Sequence, residues 1–160
     1  MGKFTALEKA QLTKNWSLEE QSALAHFLKE LRVEEKETVF LGKSGERMLY
    51  FIESGAVRLA FEGTEVDLHE GDSFAEMSIV HATHKIVSAF ALKDCVFWVL
   101  PFQKWEDMKR AAPMISLKLI ESICQKMAQL LNNNFQPHQA LAEKSQSASS
   151  NRPPSSFEFQ

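Results

Sequence analysis

The residues best suited to chemistry lie between Gly71 and Ile79, and Lys85 follows shortly after them. Their types fit a phosphate-binding loop. A turn of helix that opens after Asp72 would present free backbone N–H groups and the positive end of a small dipole, which suits a phosphate. Glu76 would then accept a hydrogen bond from a sugar hydroxyl, and Lys85 would face the anion. The pattern therefore allows an anion-binding pocket at this loop.

The same stretch can also be explained without a ligand. Gly71 and Asp72 are typical turn residues between two strands. Phe74, Met77 and Ile79 would then simply close the end of a barrel with their apolar side chains. Short loop patterns often arise by chance, so both interpretations stay open on these residues alone.

Length and composition predict a single cytoplasmic domain. The 160 residues suffice for one well-buried core, and the formal net charge of -3 gives no basic surface for nucleic acid. No stretch approaches the apolar run of about 20 residues that a membrane span needs, and the N-terminus lacks the apolar core of a signal peptide. Cys95 and Cys124 lie far apart and form no CxxC unit, so both are expected to be reduced and buried.

The hydrophobic period changes twice along the chain. Ser17 and Glu20 form a capping box, and apolar residues follow at helical spacing, so a helix is predicted over residues 17–32. Short strands punctuated by turn glycines follow, which is typical of a small antiparallel sandwich or barrel. The predicted strands run from Val39 to Leu41, Met48 to Ser54, Val57 to Phe61, Val66 to Leu68, Ile86 to Leu92 and Val96 to Leu100.

Two further helices are predicted after the strands, one starting at Pro101 and one at Pro113, because Pro suits a first helical turn. Apolar residues of the last helix recur at alternating spacings of three and four, which favours a parallel homodimer through residues 113–135. The alternative is that this face packs on the chain's own strands. We call these residues the heptad seam: Leu117, Ile120, Cys124, Met127, Leu131 and Asn134.

The composition changes after Phe135. Residues 136–160 are rich in Ser, Gln, Asn and Pro, and they cannot bury enough apolar area to offset the entropy of ordering. A disordered tail is therefore predicted, in which Phe157 and Phe159 are the exceptions. The predicted organisation is an N-terminal segment over residues 1–16, one domain over 17–135 and this tail.

The order of elements and three sequence blocks resemble the cyclic nucleotide-binding domain family, of the catabolite-activator type. The blocks span residues 50–59, 71–79 and 91–95, and Phe102 and Pro113 continue the match. The resemblance implies a mainly β fold with flanking helices, in which an antiparallel β-roll of the jelly-roll type precedes C-terminal helices. It also implies a phosphate-binding cassette between two strands, and a long last helix that forms the dimer interface in bacterial regulators.

The cassette residues that the resemblance transfers are Ala75, Glu76, Met77, Ser78, Lys85 and Ile86. The family has Gly where Ala75 stands, Arg where Lys85 stands and a hydroxyl residue where Ile86 stands. Glu76, the family's ribose-hydroxyl acceptor, is retained. Lys offers a mobile point charge instead of the two parallel bonds of Arg, and Ala75 is expected to resist a positive φ angle. The changes predict a degenerate pocket.

No nucleophile motif, P-loop or HExxH occurs, so neither an enzyme nor a metal site is expected. The histidines lack the His-x-His spacing of a cupin site. Family transcription factors carry a helix-turn-helix after the dimer helix, but here only the tail follows, so direct DNA binding is not expected. Two functions remain open. One is an adaptor that acts through dimerisation and an unknown protein partner, with a pocket that is vestigial or filled by another anion or a protein segment. The other is a genuine sensor of cAMP or cGMP that regulates a partner protein.

Overall fold

The structure is a computed structural model that describes residues 2–82, 86 and 88–149; for residues 41, 43 and 134–149 it describes the backbone alone. The chain divides into two compact units, residues 1–123 and residues 124–160. The helices are α1 (Lys3–Lys9), α2 (Leu18–Ala25), α3 (Phe102–Ala111) and α4 (Pro113–Ser149). The strands are β1 (Lys29–Val33), β2 (Thr38–Leu41), β3 (Met48–Ser54), β4 (Ala56–Phe61), β5 (Thr64–His69), β6 (Ser73–Phe74), β7 (Ser88–Ala91) and β8 (Cys95–Pro101).

The strands form two four-stranded sheets, in the orders β1-β8-β3-β6 and β2-β7-β4-β5. Their pairings are antiparallel. In the first sheet Tyr50 lies opposite both Val99 and Phe74, and in the second Arg58 lies opposite both Phe90 and Asp67. This arrangement confirms the predicted antiparallel β-roll with helices on either side of it in the chain.

The core of the roll consists of side chains that alternate along the strands, as the pleat of a β-sheet requires. Tyr50 and Phe74 stack with their ring centroids 4.5 Å apart, and Phe97 meets both rings edge-on. Burial raises the pKa of the Tyr50 hydroxyl, and the nearby Glu46 carboxylate raises it further. The other buried members of this cluster are Val33, Phe40, Ile52, Val57, Leu59, Ala75, Ile86, Ala89, Ala91, Cys95 and Val99.

Helices cover the outer face of the first sheet. Leu49, Phe51 and Leu100 alternate with the inward residues and are fully buried, because α1 lies against β3 and α3 lies against β8. Residues 2–16, which the sequence left as a separate segment, form α1 and a 3-10 turn whose apolar side chains belong to this layer. Trp16 is buried, and its indole N–H donates to the Ser122 hydroxyl at 3.0 Å.

The predicted capping box is confirmed, but the predicted length of its helix is wrong. The Ser17 hydroxyl accepts from the Glu20 backbone N–H, and the Glu20 carboxylate accepts from the Ser17 N–H. The helix ends at Ala25, and residues 29–33 form β1, paired with β8. The apolar residues of this segment also fit a strand, since Leu31 and Val33 alternate with polar neighbours and pack into the roll. The apolar spacing of residues 29–33 suits both a helix and a strand, and pairing with β8 decided in favour of the strand.

The last helix is longer than predicted. The sequence placed its end near Phe135, with a disordered tail beyond, whereas α4 continues to Ser149. Residues 139–144 are Gln, Ala, Leu, Ala, Glu and Lys, all strong helix formers, and they favour the longer helix although Pro137 precedes them. Residues 150–160, including Phe157 and Phe159, lie outside the described residues. In the part of the chain that is described, no helix has both the length and the apolar content to cross a membrane.

Two faces of α4 differ within the first unit. Ser116, Leu119 and Ile123 are buried, whereas Leu117 is 51% exposed. The expectation that both cysteines are buried is only half right: Cys95 is buried and Cys124 is exposed. Cys124 lies on the heptad seam, where Leu117 and Leu131 are also exposed and Ile120 and Met127 are half-buried.

Candidate ligand cassette

The turn that opens the cassette is held from two sides. The Gly71 N–H donates to the Ile52 carbonyl, and the Ile52 N–H donates to the Asp72 carbonyl. From the N-terminal segment, the Gln11 N–H donates to the Gly71 carbonyl at 2.9 Å. Gly71 has a φ of +89°, and a Cβ there would lie 3.0 Å from the Lys9 carbonyl oxygen, so glycine fits both its angle and its space. The predicted Gly-Asp turn is therefore present.

Ala75 adopts the left-handed conformation, with φ 61° and ψ 25°. It precedes a 3-10 turn over Glu76–Ile79, which we call the cassette turn. A left-handed angle costs a residue with a Cβ roughly 1–2 kcal/mol. The expectation that Ala75 would resist a positive φ is thus wrong, because the surrounding structure imposes the angle. The backbone at residue 75 follows the left-handed path that a glycine would favour, although the residue is alanine.

The polar side chains of the cassette are engaged within the chain. The Ser73 hydroxyl donates to the Glu76 carboxylate at 2.8 Å, and both residues are buried. The Ser78 hydroxyl lies within hydrogen-bond distance of the Met48 and Ala75 carbonyl oxygens, at 3.0 Å and 2.7 Å, and Ser78 is fully buried. These hydrogen bonds fix the cassette turn to β3 and to Ala75, the residue that precedes it.

The apolar residues of the cassette fall into two groups. Phe74 and Ile79 are buried, as the barrel-closing interpretation predicted. Met77 was expected to join them, but it is 40% exposed. In a 3-10 turn, residues three apart share a face, and Val80 is also exposed, so these two side chains point the same way. The turn therefore buries one side in the roll and presents an apolar side to solvent.

Ile86 is buried, with 8% of its surface exposed, and it packs in the core cluster of the roll. The resemblance assigns a hydroxyl-bearing ligand residue to this position. Here the side chain contributes to the hydrophobic core instead. Lys85, the proposed anion contact, lies outside the described residues, as do residues 83, 84 and 87. The structure thus brings together Ala75, Glu76, Met77 and Ser78 at one turn and places Ile86 in the core.

Sequence reasoning missed Arg47. Its guanidinium donates from Nε to the Ser78 carbonyl at 2.6 Å and from Nη2 to the Ile79 carbonyl at 3.3 Å. The same guanidinium lies over the Phe102 ring, 3.8 Å from its centroid. Charged residues commonly precede buried strands, so the sequence offered little reason to select Arg47. Its place directly before β3 was the one available signal.

The residues described contain no group of three or more His, Cys, Asp or Glu side chains arranged to hold a metal ion. The histidines His69 and His81 are both exposed, and His84 lies outside the described residues.

Comparison with known proteins decides the family. The family model of the cyclic nucleotide-binding domain matches residues 30–111, which is half of the chain. The chain belongs to the cyclic nucleotide-binding domain family. The match covers the cassette, α3 and all the strands of the roll except the first residue of β1. No curated protein sequence matches the chain.

Solved structures agree with this cyclic nucleotide-binding fold. A cyclic nucleotide-binding domain from Methylobacillus flagellatus has a TM-score of 0.70 at 16% identity, with 83% of this chain and 78% of that chain covered. The catabolite activator protein of Thermus thermophilus has a TM-score of 0.67 at 21% identity, covering 82% of this chain and 62% of that chain. The N-terminal domain of a transcriptional regulator from Streptomyces coelicolor has a TM-score of 0.64 at 16% identity, with 80% and 94% covered. At these identities the likeness is one of fold.

Proposed function

We propose that this protein is a non-enzymatic regulatory module of the cyclic nucleotide-binding domain family, with a degenerate cassette, which acts through dimerisation and docking to a partner protein. Ile86 is the observation that favours this function most. Its burial in the core cluster replaces a ligand-facing hydroxyl with a packing side chain. A change back to Ser or Thr would remove apolar contacts from the roll, so the position now serves stability.

The other differences from the family's cassette also favour a degenerate pocket. Lys85 replaces an Arg whose planar fork would grip a cyclic phosphate with two parallel hydrogen bonds. The loss of one charge-assisted bond costs roughly 1.5–3 kcal/mol, or about ten- to a hundredfold in affinity. The Ser73 hydroxyl already occupies one oxygen of the Glu76 carboxylate. Together these features favour a cassette that is closed by its own residues.

Dimerisation is supported by the exposure of the heptad seam. Leu117 is 51% exposed, Leu131 is 55% exposed, and Cys124 is exposed between them in sequence. Apolar side chains at heptad spacing that remain accessible in the single chain suit a parallel helix pair. The seam supplies one surface for self-association, and a separate partner would then bind the assembled dimer.

The test of this proposal is a nucleotide titration. Calorimetry with cAMP and with cGMP up to millimolar concentration should show no binding. Hydrogen exchange of residues 113–131 and the fluorescence of Trp105, which is buried in α3, should stay unchanged. A ligand moves a helix only to the extent that it binds one arrangement better than another. Protection of residues 113–131 that rises with nucleotide would overturn the degenerate-cassette proposal.

The alternative is a genuine cyclic nucleotide sensor. Its support is Glu76, which is retained from the family and follows the left-handed residue Ala75. If this function is right, a nucleotide contacts Glu76 and Lys85. Lys85→Ala should then abolish binding, and Lys85→Arg should strengthen it through the second hydrogen bond. Unchanged affinity in both variants would place the anion elsewhere on the molecule.

A further inference from the structure

Arg47 joins two elements that are far apart in sequence. On one side, its guanidinium donates to the carbonyl oxygens of Ser78 and Ile79, which end the cassette turn. Carbonyls at the end of a helical turn have no partner inside that turn, so they need donors from elsewhere. The next residue adds a third link, because the Met48 carbonyl lies 3.0 Å from the Ser78 hydroxyl.

On the other side, Arg47 holds the start of α3. The guanidinium lies 3.8 Å from the centroid of the Phe102 ring, and Phe102 is the first residue of that helix. The Phe102 backbone N–H donates to the Arg47 carbonyl at 2.9 Å. The N-terminal N–H groups of a helix lack partners within it, and α3 has no side-chain cap. The Arg47 carbonyl therefore accepts from the first N–H group of α3, while the Arg47 side chain donates to the last carbonyls of the cassette turn.

We propose that Arg47 is a positioning residue that clamps the cassette turn to the start of α3 and so fixes both in one arrangement without a ligand. The inference rests on the proposed function, since it says how a module with a degenerate cassette keeps its C-terminal helices in place. A guanidinium is suited to this role because its planar fork reaches two carbonyls at once while its face rests on an aromatic ring.

The amino group of a lysine cannot replace this geometry. It offers the same charge and one face-on contact, but no fixed fork for two adjacent carbonyls. Arg47→Lys should therefore weaken the clamp, and Arg47→Met, which retains the length and apolar character of the stem, should remove it. The matched control is Arg58→Met, because Arg58 makes two hydrogen bonds to Asp67 on the outer face of the second sheet.

The experiment is hydrogen exchange of the full chain in the absence of nucleotide. The informative amides are those of Ser78 and Val80, which donate to the Ala75 and Met77 carbonyls at the cassette turn, and those of α3 from Phe102 onward. In Arg47→Met, both groups should exchange at least about ten- to a hundredfold faster, because the substitution removes two charge-assisted hydrogen bonds and the loss of one alone has an effect of about this size. Amides of β4 should keep their wild-type rates. Arg58→Met should leave the cassette turn and α3 unchanged.

A reciprocal variant separates coupling from simple loss of stability. Phe102→Ala removes the ring under the guanidinium, and it should accelerate exchange at Ser78 and Val80 as well as in α3. Faster exchange that spreads equally to β4 in Arg47→Met would show a general loss of stability and overturn the proposal. Cassette amides that stay at wild-type rates in Phe102→Ala would also overturn it. Both readouts are taken without ligand, so they are distinct from the outcome of the nucleotide titration.

Discussion

The cassette and the heptad seam of α4 differ in whether their side chains already have partners within the chain. In the cassette, buried Ser73, Glu76 and Ser78 are engaged by hydrogen bonds within the chain, and Arg47 donates to the last carbonyls of the turn. On α4, apolar residues of the seam such as Leu131 remain exposed in the single chain. The first region is closed by its own residues, and the second is open.

This difference indicates which region would gain more free energy from binding another molecule. A buried polar group that already has its partner gains little from a ligand, since a new contact must first replace an existing one. An exposed apolar helix face gains free energy whenever it is covered, at roughly 25 cal/mol for each Å² of apolar surface. The contrast therefore supports an interaction module more than a ligand sensor.

The largest effect is expected at the seam. Replacing Ile120 and Met127 together by Glu should convert the proposed dimer to a folded monomer, because pairing would bury four carboxylates along the interface. Sedimentation at tens of micromolar should show the change. The control is Gln125→Glu with Gln129→Glu, which adds the same charge at exposed positions outside the seam and should leave the dimer intact. A wild-type chain that sediments as a monomer at this concentration would remove the basis of the proposed assembly.

Cross-linking tests the parallel orientation of the same pair. In a parallel dimer, Cys124 faces its counterpart across the seam, whereas Cys95 is buried, and burial raises the pKa of its thiol. Mild oxidation should therefore yield a disulfide-linked dimer that disappears in Cys124→Ser and persists in Cys95→Ala. An antiparallel pair centred elsewhere would leave Cys124 unlinked, although the chain would still sediment as a dimer.

The two faces of α4 should differ in their effect on stability. Leu119→Ala should lower the free energy of unfolding by about 2–5 kcal/mol, because the side chain is fully buried and its loss leaves a cavity. Leu117→Ala, two positions earlier on the exposed face, should change it by roughly 0.5 kcal/mol or less in the monomeric double-Glu background. Urea denaturation of both variants in that background measures the difference. Equal effects would mean that the exposed face is also packed.

Removing a hydrogen bond from the cassette should have a smaller effect. Ser73→Ala removes one hydrogen-bond donor from the buried Glu76 carboxylate, and the expected loss is about 1–3 kcal/mol in the free energy of unfolding. Ser22→Ala, on the exposed side of α2, is the matched control and should be nearly neutral. Tighter nucleotide binding by Ser73→Ala would indicate that the Ser73 hydroxyl had been blocking a functional acceptor.

The smallest effect is expected from pH at the contact between α2 and the start of α4. The hydrogen bond from the Lys118 ammonium, helped by the Ser17 backbone N–H, holds the pKa of the Glu20 carboxyl below its usual value of 4.5. A pKa that is lower in the folded state stabilises the fold above pH 4.5, and this contribution disappears as pH falls through the lowered pKa. The Tm difference between wild type and Lys118→Met should therefore shrink from pH 7 to pH 3. A constant difference would assign the effect of Lys118 to the position of its ammonium over the Trp16 ring, 5.8 Å from the centroid, which does not depend on the charge of Glu20.

Local patterns in the sequence determined much of the fold. The capping box of Ser17 and Glu20, the alternation of Val57 and Leu59 in β4, and the turn at Gly71 each depend on residues close together in the chain. Such features are set by backbone geometry and short-range hydrogen bonds, so the printed residues were sufficient to predict them. The heptad spacing of α4 could also be predicted from the sequence, but the surface that covers this face of the helix could not.

Only the tertiary structure decided the features that depend on distant partners. Residues 29–33 became a strand because β8 was available to pair with them, although their spacing also suited a helix. Ala75 took a left-handed angle because the roll around it imposed that path, and Ile86 went into the core. Arg47 gained its role from two elements that begin about 30 and 55 residues further along the chain. Periodicity records which side chains are apolar, but it holds no information about which distant carbonyl or ring a side chain will meet.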